Sequence, residues 1–77
     1  MKTLRDLRRY IQKNVHKDLW LARGNGYYYF YSDNEGLGLY LAVLPQTSVY
    51  VNNWQELSPE MWVAEALELL KDYKPAK

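Results

Sequence analysis

With 77 residues, no cysteine and a single histidine, the chain has room for one hydrophobic core and no disulfide or thiolate metal site to reinforce it. Hydrophobic residues at 48% and aromatics at 16% suit that demand, because each buried Tyr or Trp removes roughly 150–250 Å² from water. The net charge of +1 conceals a division: residues 1–23 carry seven Lys and Arg against Asp6 and Asp18, and residues 24–77 carry three Lys against seven acids, +5 set against −4. No run approaches the ~20 apolar residues of a membrane span, and "MKTLRDLRRY" has charges where a signal peptide is apolar, which predicts a cytoplasmic protein.

In "KTLRDLRRYIQKNV" the residues Leu4, Leu7, Ile11 and Val15 recur at helical spacing, predicting an amphipathic helix that ends between Asn14 and His16. Thr3 is its expected cap, with Asp6 three residues on as a weak capping box. "DLWLARGNGYYYFYS" predicts a hairpin, with Asn25 and Gly26 both at the positive φ of a type I′ turn. That turn sets Trp20 opposite Tyr31, Leu21 opposite Phe30, Ala22 opposite Tyr29 and Arg23 opposite Tyr28; a three-residue Gly-Asn-Gly loop would shift these partners. Alternation then divides five consecutive aromatics between two faces: Trp20, Ala22, Tyr27, Tyr29 and Tyr31 on one, Leu19, Leu21, Tyr28 and Phe30 on the other.

"SDNEGLGLYLAVLPQTS" is two-sided. Ser32 and Glu35 have capping-box spacing, and Leu37, Leu41 and Leu44 share a helical face, yet each of two glycines costs a helix about 1 kcal/mol. A short helix ending before Pro45 is the expectation, and a third strand over residues 35–44 is the alternative. Thr47 to Val51 is β-branched and alternating, which predicts a strand with Val49 and Val51 toward the core and Tyr50 away from it. In "LSPEMWVAEALELLKDYK", Ser58 as N-cap and Pro59 at the first helical position predict a closing helix. Its apolar side includes Trp62, Val63, Ala66, Leu67, Leu69, Leu70 and Tyr73, and residues 73–77 are expected to fray. The whole predicts one α+β domain over residues 1–77: an N-terminal helix, an antiparallel three-stranded sheet built on a β-hairpin, and a C-terminal helix.

The strings "WLARGNGYYYF", "TSVYV" and "LSPEMW", within residues 19–70, resemble a group of small uncharacterised proteins encoded by phages, prophages and other mobile elements. Such proteins share a Tyr-rich strand after glycine, an "SVYV"-like strand and a Leu-Ser helix start followed by Trp. The resemblance implies an origin and a role as an accessory protein that binds host or defence machinery, anti-CRISPR proteins being one such class. It does not extend to the N-terminal helix.

The materials for catalysis are sparse, and the chain reads as a non-enzyme. His16 has no Ser or Asp partner at useful spacing and suits an exposed or capping position at a helix C-terminus. Glu60, Glu65, Glu68 and Asp72 fit a solvated helix face. "SDNEG" lacks the further spacing and the terminal Glu of a calcium loop, and Gly24-x-Gly26 is too short for a dinucleotide fingerprint, so no metal or cofactor is expected. An α-β-β-β-α order, with residues 37–44 as a strand, would suit a double-stranded-RNA-binding domain, but Pro59-Glu60 stands where that family has lysines.

Two binding surfaces remain. Arg5, Arg8, Arg9 and Lys13 form a basic patch that could neutralise phosphates or dock on an acidic protein, unless it is only a solvated helix face. The aromatic face has two explanations: helices cover both sides of the sheet, or one side stays open and Trp20, Tyr27, Tyr29, Tyr31 and Tyr50 contact a partner. The leading expectation is a non-enzymatic protein that occludes a host or defence protein through those aromatics. Nucleic-acid binding through the basic helix and the Tyr face is the alternative, weakened by the −4 on residues 24–77. Homo-oligomerisation through the same face is a third.

Overall fold

In a computed structural model, residues 2–74 are described. The element order is α1 (Leu4–Asn14), β1 (Trp20–Arg23), β2 (Tyr28–Tyr31), α2 (Glu35–Ala42), β3 (Ser48–Val49), a single 3-10 turn (Trp54–Glu56) and α3 (Pro59–Leu70). The three strands form an antiparallel sheet in the order β1-β2-β3, so the fold is α+β with a helix at each end, as the sequence predicts.

Each helix begins where its capping residue directs. Thr3 Oγ1 accepts from the Asp6 amide at 3.2 Å. The Asp6 carboxylate accepts from the Lys2 amide rather than closing a box on Thr3, and that bond holds Asp6 below the usual carboxylate range. Ser58 Oγ accepts from the Met61 amide at 3.2 Å, with Pro59 in the first turn. The cap of α2 is Asn34, whose Oδ1 accepts from the Leu37 amide at 3.1 Å, and not Ser32 as the capping-box spacing implied. The Ser32 hydroxyl is instead committed to the Asp18 carbonyl at 2.7 Å, tying the end of β2 to the chain entering β1.

Helix α2 therefore occupies Glu35–Ala42, which excludes a strand over residues 35–44 and with it the α-β-β-β-α order. Gly38 is what lets this helix cross the sheet: a Cβ there would stand 2.8 Å from the Ser32 carbonyl oxygen. The close approach offsets the low helix propensity that made the segment ambiguous.

The hairpin has the predicted register, Trp20 with Tyr31, Leu21 with Phe30, Ala22 with Tyr29 and Arg23 with Tyr28. Its loop has two residues, with the Gly24 amide donating to the Tyr27 carbonyl at 2.8 Å. The turn is not type I′, however. Gly26 has φ 84°, but Asn25 does not reach positive φ, so only the second loop position is left-handed. The paired strands run as far as Arg23–Tyr28. Strand β3 is shorter than Thr47 to Val51, because the Val51 amide turns back to the Val49 carbonyl and ends the ladder.

One cluster of ten buried residues joins every layer: Leu7 and Ile11 of α1, Leu19 and Leu21, Tyr28 and Phe30 of β2, Leu37 and Leu41 of α2, Trp62 and Ala66 of α3. Trp62 is fully buried, edge-on to Tyr28 at 5.7 Å and Phe30 at 6.2 Å, and its indole N–H donates to the Trp54 carbonyl at 2.8 Å. Leu67, expected on the apolar side of α3, is exposed, since five helical steps from Trp62 carry it well off the core-facing stripe. Residues 75–77 of the expected frayed tail lie outside the described residues. Tyr73 is packed, its ring 5.2 Å from Tyr40 and 6.0 Å from His16, because ring burial outweighs the tendency of a terminus to fray. His16 is consequently half-buried in the α1–β1 turn, its Nδ1 accepting from the Asp18 amide, rather than an exposed or capping residue.

Candidate aromatic and basic surface

All three helices contribute to the cluster that holds Leu19, Leu21, Tyr28 and Phe30, and so lie on one side of the sheet. Alternation in β1 and β2 sends Trp20, Ala22, Tyr27, Tyr29 and Tyr31 to the other side, which none of the helices among the described residues covers. Of the two explanations for the paired aromatic faces, the structure has one covered face and one open face. Trp20 is 37% exposed and Tyr50 72% exposed, with Tyr27, Tyr29 and Tyr31 partly exposed between them.

The open face is a continuous row of rings. Trp20 meets Tyr31 edge-on at 6.4 Å, and Tyr31 to Tyr29, Tyr29 to Tyr27 and Tyr27 to Tyr50 follow at 6.0, 5.9 and 6.0 Å. Tyr50 joins because the pairing of Tyr28 with Val49 leaves its neighbour on the Tyr27 side of the sheet. Gly24 contributes by omission: a Cβ there would fall 2.3–2.7 Å from the Tyr27 ring atoms, so the ring lies down over the strand instead of standing off it. Along the rest of the row the tyrosine rings are tilted 38–46° to their neighbours, and Trp20 stands edge-on to Tyr31.

The basic helix reaches this face around the edge of β1. Arg8 Nε donates to the Leu21 carbonyl at 2.6 Å, occupying an acceptor on the outer edge of the sheet, and its guanidinium carbon sits 4.5 Å from the centre of the Trp20 ring. Between α1 and that ring runs a groove of about 390 Å³, lined by Arg5, Arg8, Arg9, Gln12 and Trp20. Lys13 is exposed but does not line it; it lies further round the helix.

A second groove, about 310 Å³, shares Gln12 and Trp20 and continues past Tyr31 to Lys17, Asp18, Asp33 and Asn34. Asn34 donates to the Asp18 carboxylate at 3.1 Å there, so Asp18 and Asn34 serve to brace the hairpin base. Trp20 therefore stands between a groove walled by arginines and one walled partly by carboxylates.

Four of the expected aromatics and three of the four expected basic residues come together with Trp20 in one surface. Gln12 escaped the sequence reading; its helical position beside Arg5, Arg8 and Arg9 was the available signal. The 3-10 turn was also missed, although Asn53 and Glu56 have capping-box spacing and form one: Glu56 Oε2 accepts from the Asn53 amide at 2.9 Å, and Asn53 Oδ1 from Gln55. No helix among the described residues is long and apolar enough to cross a membrane, and no three of their His, Cys, Asp and Glu side chains gather as a metal site. Comparison with family models, with curated proteins and with solved structures finds no match.

Proposed function

We propose that this protein is a non-enzymatic binding module that takes nucleic acid on its open sheet face, with the Arg5, Arg8 and Arg9 side of α1 holding the phosphates. The observation that carries this is the Trp20 junction: a ring already engaged by Arg8, bordered by an arginine groove and continuous with four tyrosines. Phosphates and bases need those two kinds of surface side by side. Part of the acidic remainder that weighed against this reading is displaced from the face: Glu60, Glu65 and Glu68 belong to α3, in the layer behind the sheet, whereas Asp33 stays in the groove beside Tyr31. The resemblance to mobile-element proteins would make such a module an accessory product working in the host cytoplasm.

Fluorescence anisotropy with a labelled 20-nucleotide dT oligomer at 50 mM salt tests the proposal. Binding should weaken with salt along a log–log slope of about −2, since three arginines at roughly 0.7 per phosphate are engaged. No binding at 50 mM salt refutes it. The second reading, occlusion of a host or defence protein by the same face, is favoured by the exposure of Trp20 and Tyr50, residue types that dominate protein hot spots. It predicts a partner whose binding is lost in Tyr29→Ala and varies little with salt.

A further inference from the structure

Resting on the nucleic-acid reading, we propose that the ligand is single-stranded and short: a track of about five stacked bases running from Trp20 through Tyr31, Tyr29 and Tyr27 to Tyr50, with its backbone anchored in the Arg5–Arg9 groove at the Trp20 end only.

Three observations carry this. The five rings form a single file with successive centroids 5.9–6.4 Å apart, the four tyrosines tilted 38–46° to one another and Trp20 edge-on to Tyr31, and Gly24 allows Tyr27 to lie against the strand. A base pair inside a duplex has its faces covered by its neighbours, so only unstacked bases can use such a row. The arginines are gathered at one end: Arg5, Arg8 and Arg9 stand at Trp20, while the adjoining groove beside Tyr31 sets Asp18 and Asp33 against Lys17 alone. Those carboxylates repel a phosphate placed on the Asp18 side of the row, which leaves the α1 groove as the place where the backbone is neutralised. Among the described residues the Tyr50 end lines no such arginine groove; Arg23 is the nearest base in sequence to the hairpin turn, and it lies on the strand position paired with Tyr28.

The structure thus assigns separate roles. The arginine groove sets the salt dependence, the tyrosine row sets the dependence on length and strandedness, and Trp20 belongs to both.

The test is anisotropy at 50 mM salt with labelled dT oligomers of 2, 3, 5, 8, 12 and 20 nucleotides and a 20-base-pair duplex. Affinity should rise steeply to about five nucleotides and then level off, and the duplex should bind at least tenfold more weakly than the 20-nucleotide strand. Arg5→Ala/Arg9→Ala should flatten the salt slope by about 1.4, two contacts at roughly 0.7 each. Tyr29→Ala should weaken the five-nucleotide oligomer about 5- to 150-fold, the usual range for one lost stack, and leave the slope unchanged. A duplex that binds as tightly as the strand overturns the inference while leaving the broader proposal standing. So does affinity that climbs steadily to 20 nucleotides, or a Tyr29→Ala variant that binds normally, since each describes a plain phosphate-binding patch. Failure of every oligomer to bind overturns both and leaves the face to a protein.

Discussion

Tyr28 and Tyr29 are neighbours in one strand with the same side chain, and the fold predicts opposite consequences for removing them. Tyr28 is 1% exposed, packs edge-on against Trp62, and its hydroxyl accepts from the Trp54 amide at 3.2 Å. Truncation to Ala removes a buried ring, which costs about 3–5 kcal/mol, and deprives a partly buried N–H of its acceptor, about 1 kcal/mol more. A 77-residue domain at 0.05–0.15 kcal/mol per residue has only about 4–12 kcal/mol in all, so Tyr28→Ala should be largely unfolded or close to it. Tyr29 loses two ring contacts, to Tyr27 and Tyr31, and some strand propensity. Cross-strand and aromatic pairs are worth about 0.5–1 kcal/mol each, which gives a total near 1–2 kcal/mol and a folded protein. Urea unfolding followed by far-UV circular dichroism measures both. With a slope of about 1 kcal/mol/M for so small a domain, Tyr29→Ala should lower the midpoint by about 1–2 M, and Tyr28→Ala should show little or no native baseline. Equal losses for the two would mean that the Tyr29 face is buried in solution. A midpoint that rises with protein concentration would identify a second copy of the chain as its cover and refute the open-face argument.

Other positions give independent checks. Gly26→Val should destabilise by more than about 1 kcal/mol in the same assay, because a β-branched residue resists φ 84°; an unchanged midpoint would remove the turn assignment. Gly38→Ala, normally worth about 1 kcal/mol of helix stability, should instead lower the midpoint, since its Cβ would press on the Ser32 carbonyl at 2.8 Å. A stabilised Gly38→Ala would show that α2 can draw back from β2. Trp62→Ala should cost about 3–5 kcal/mol, whereas Trp62→Phe, which retains a ring against Tyr28 and Phe30 and loses the bond to the Trp54 carbonyl, should cost about 1–2 kcal/mol and stay folded. A folded Trp62→Ala that merely loses a partner would make Trp62 a surface residue.

The local chemistry of the chain determined most of its secondary structure. Leucines at helical spacing after Thr3, Pro59 after Ser58 and the alternation of Tyr28 and Phe30 with Tyr29 and Tyr31 each act within a few residues, so they operate before any tertiary contact exists. The hairpin register followed for the same reason, because a two-residue loop leaves the strands one way to align. What only the tertiary structure decided is which side of the sheet is covered and what lies beside the exposed one. Both faces are aromatic, and hydrophobicity alone does not rank Phe30 with Tyr28 above Tyr29 with Tyr31. The choice fell when Leu7, Leu37 and Trp62, carried on three separate helices, closed over the same side. The junction of Arg8 with Trp20 is of that kind as well, since it joins residues twelve apart across the edge of β1, where helix packing sets the distance and no local pattern does. Gly38 shows the limit from the opposite direction. Its propensity argued against the helix it occupies, and a carbonyl six residues back in sequence, brought close only by the packing of α2 on β2, required it.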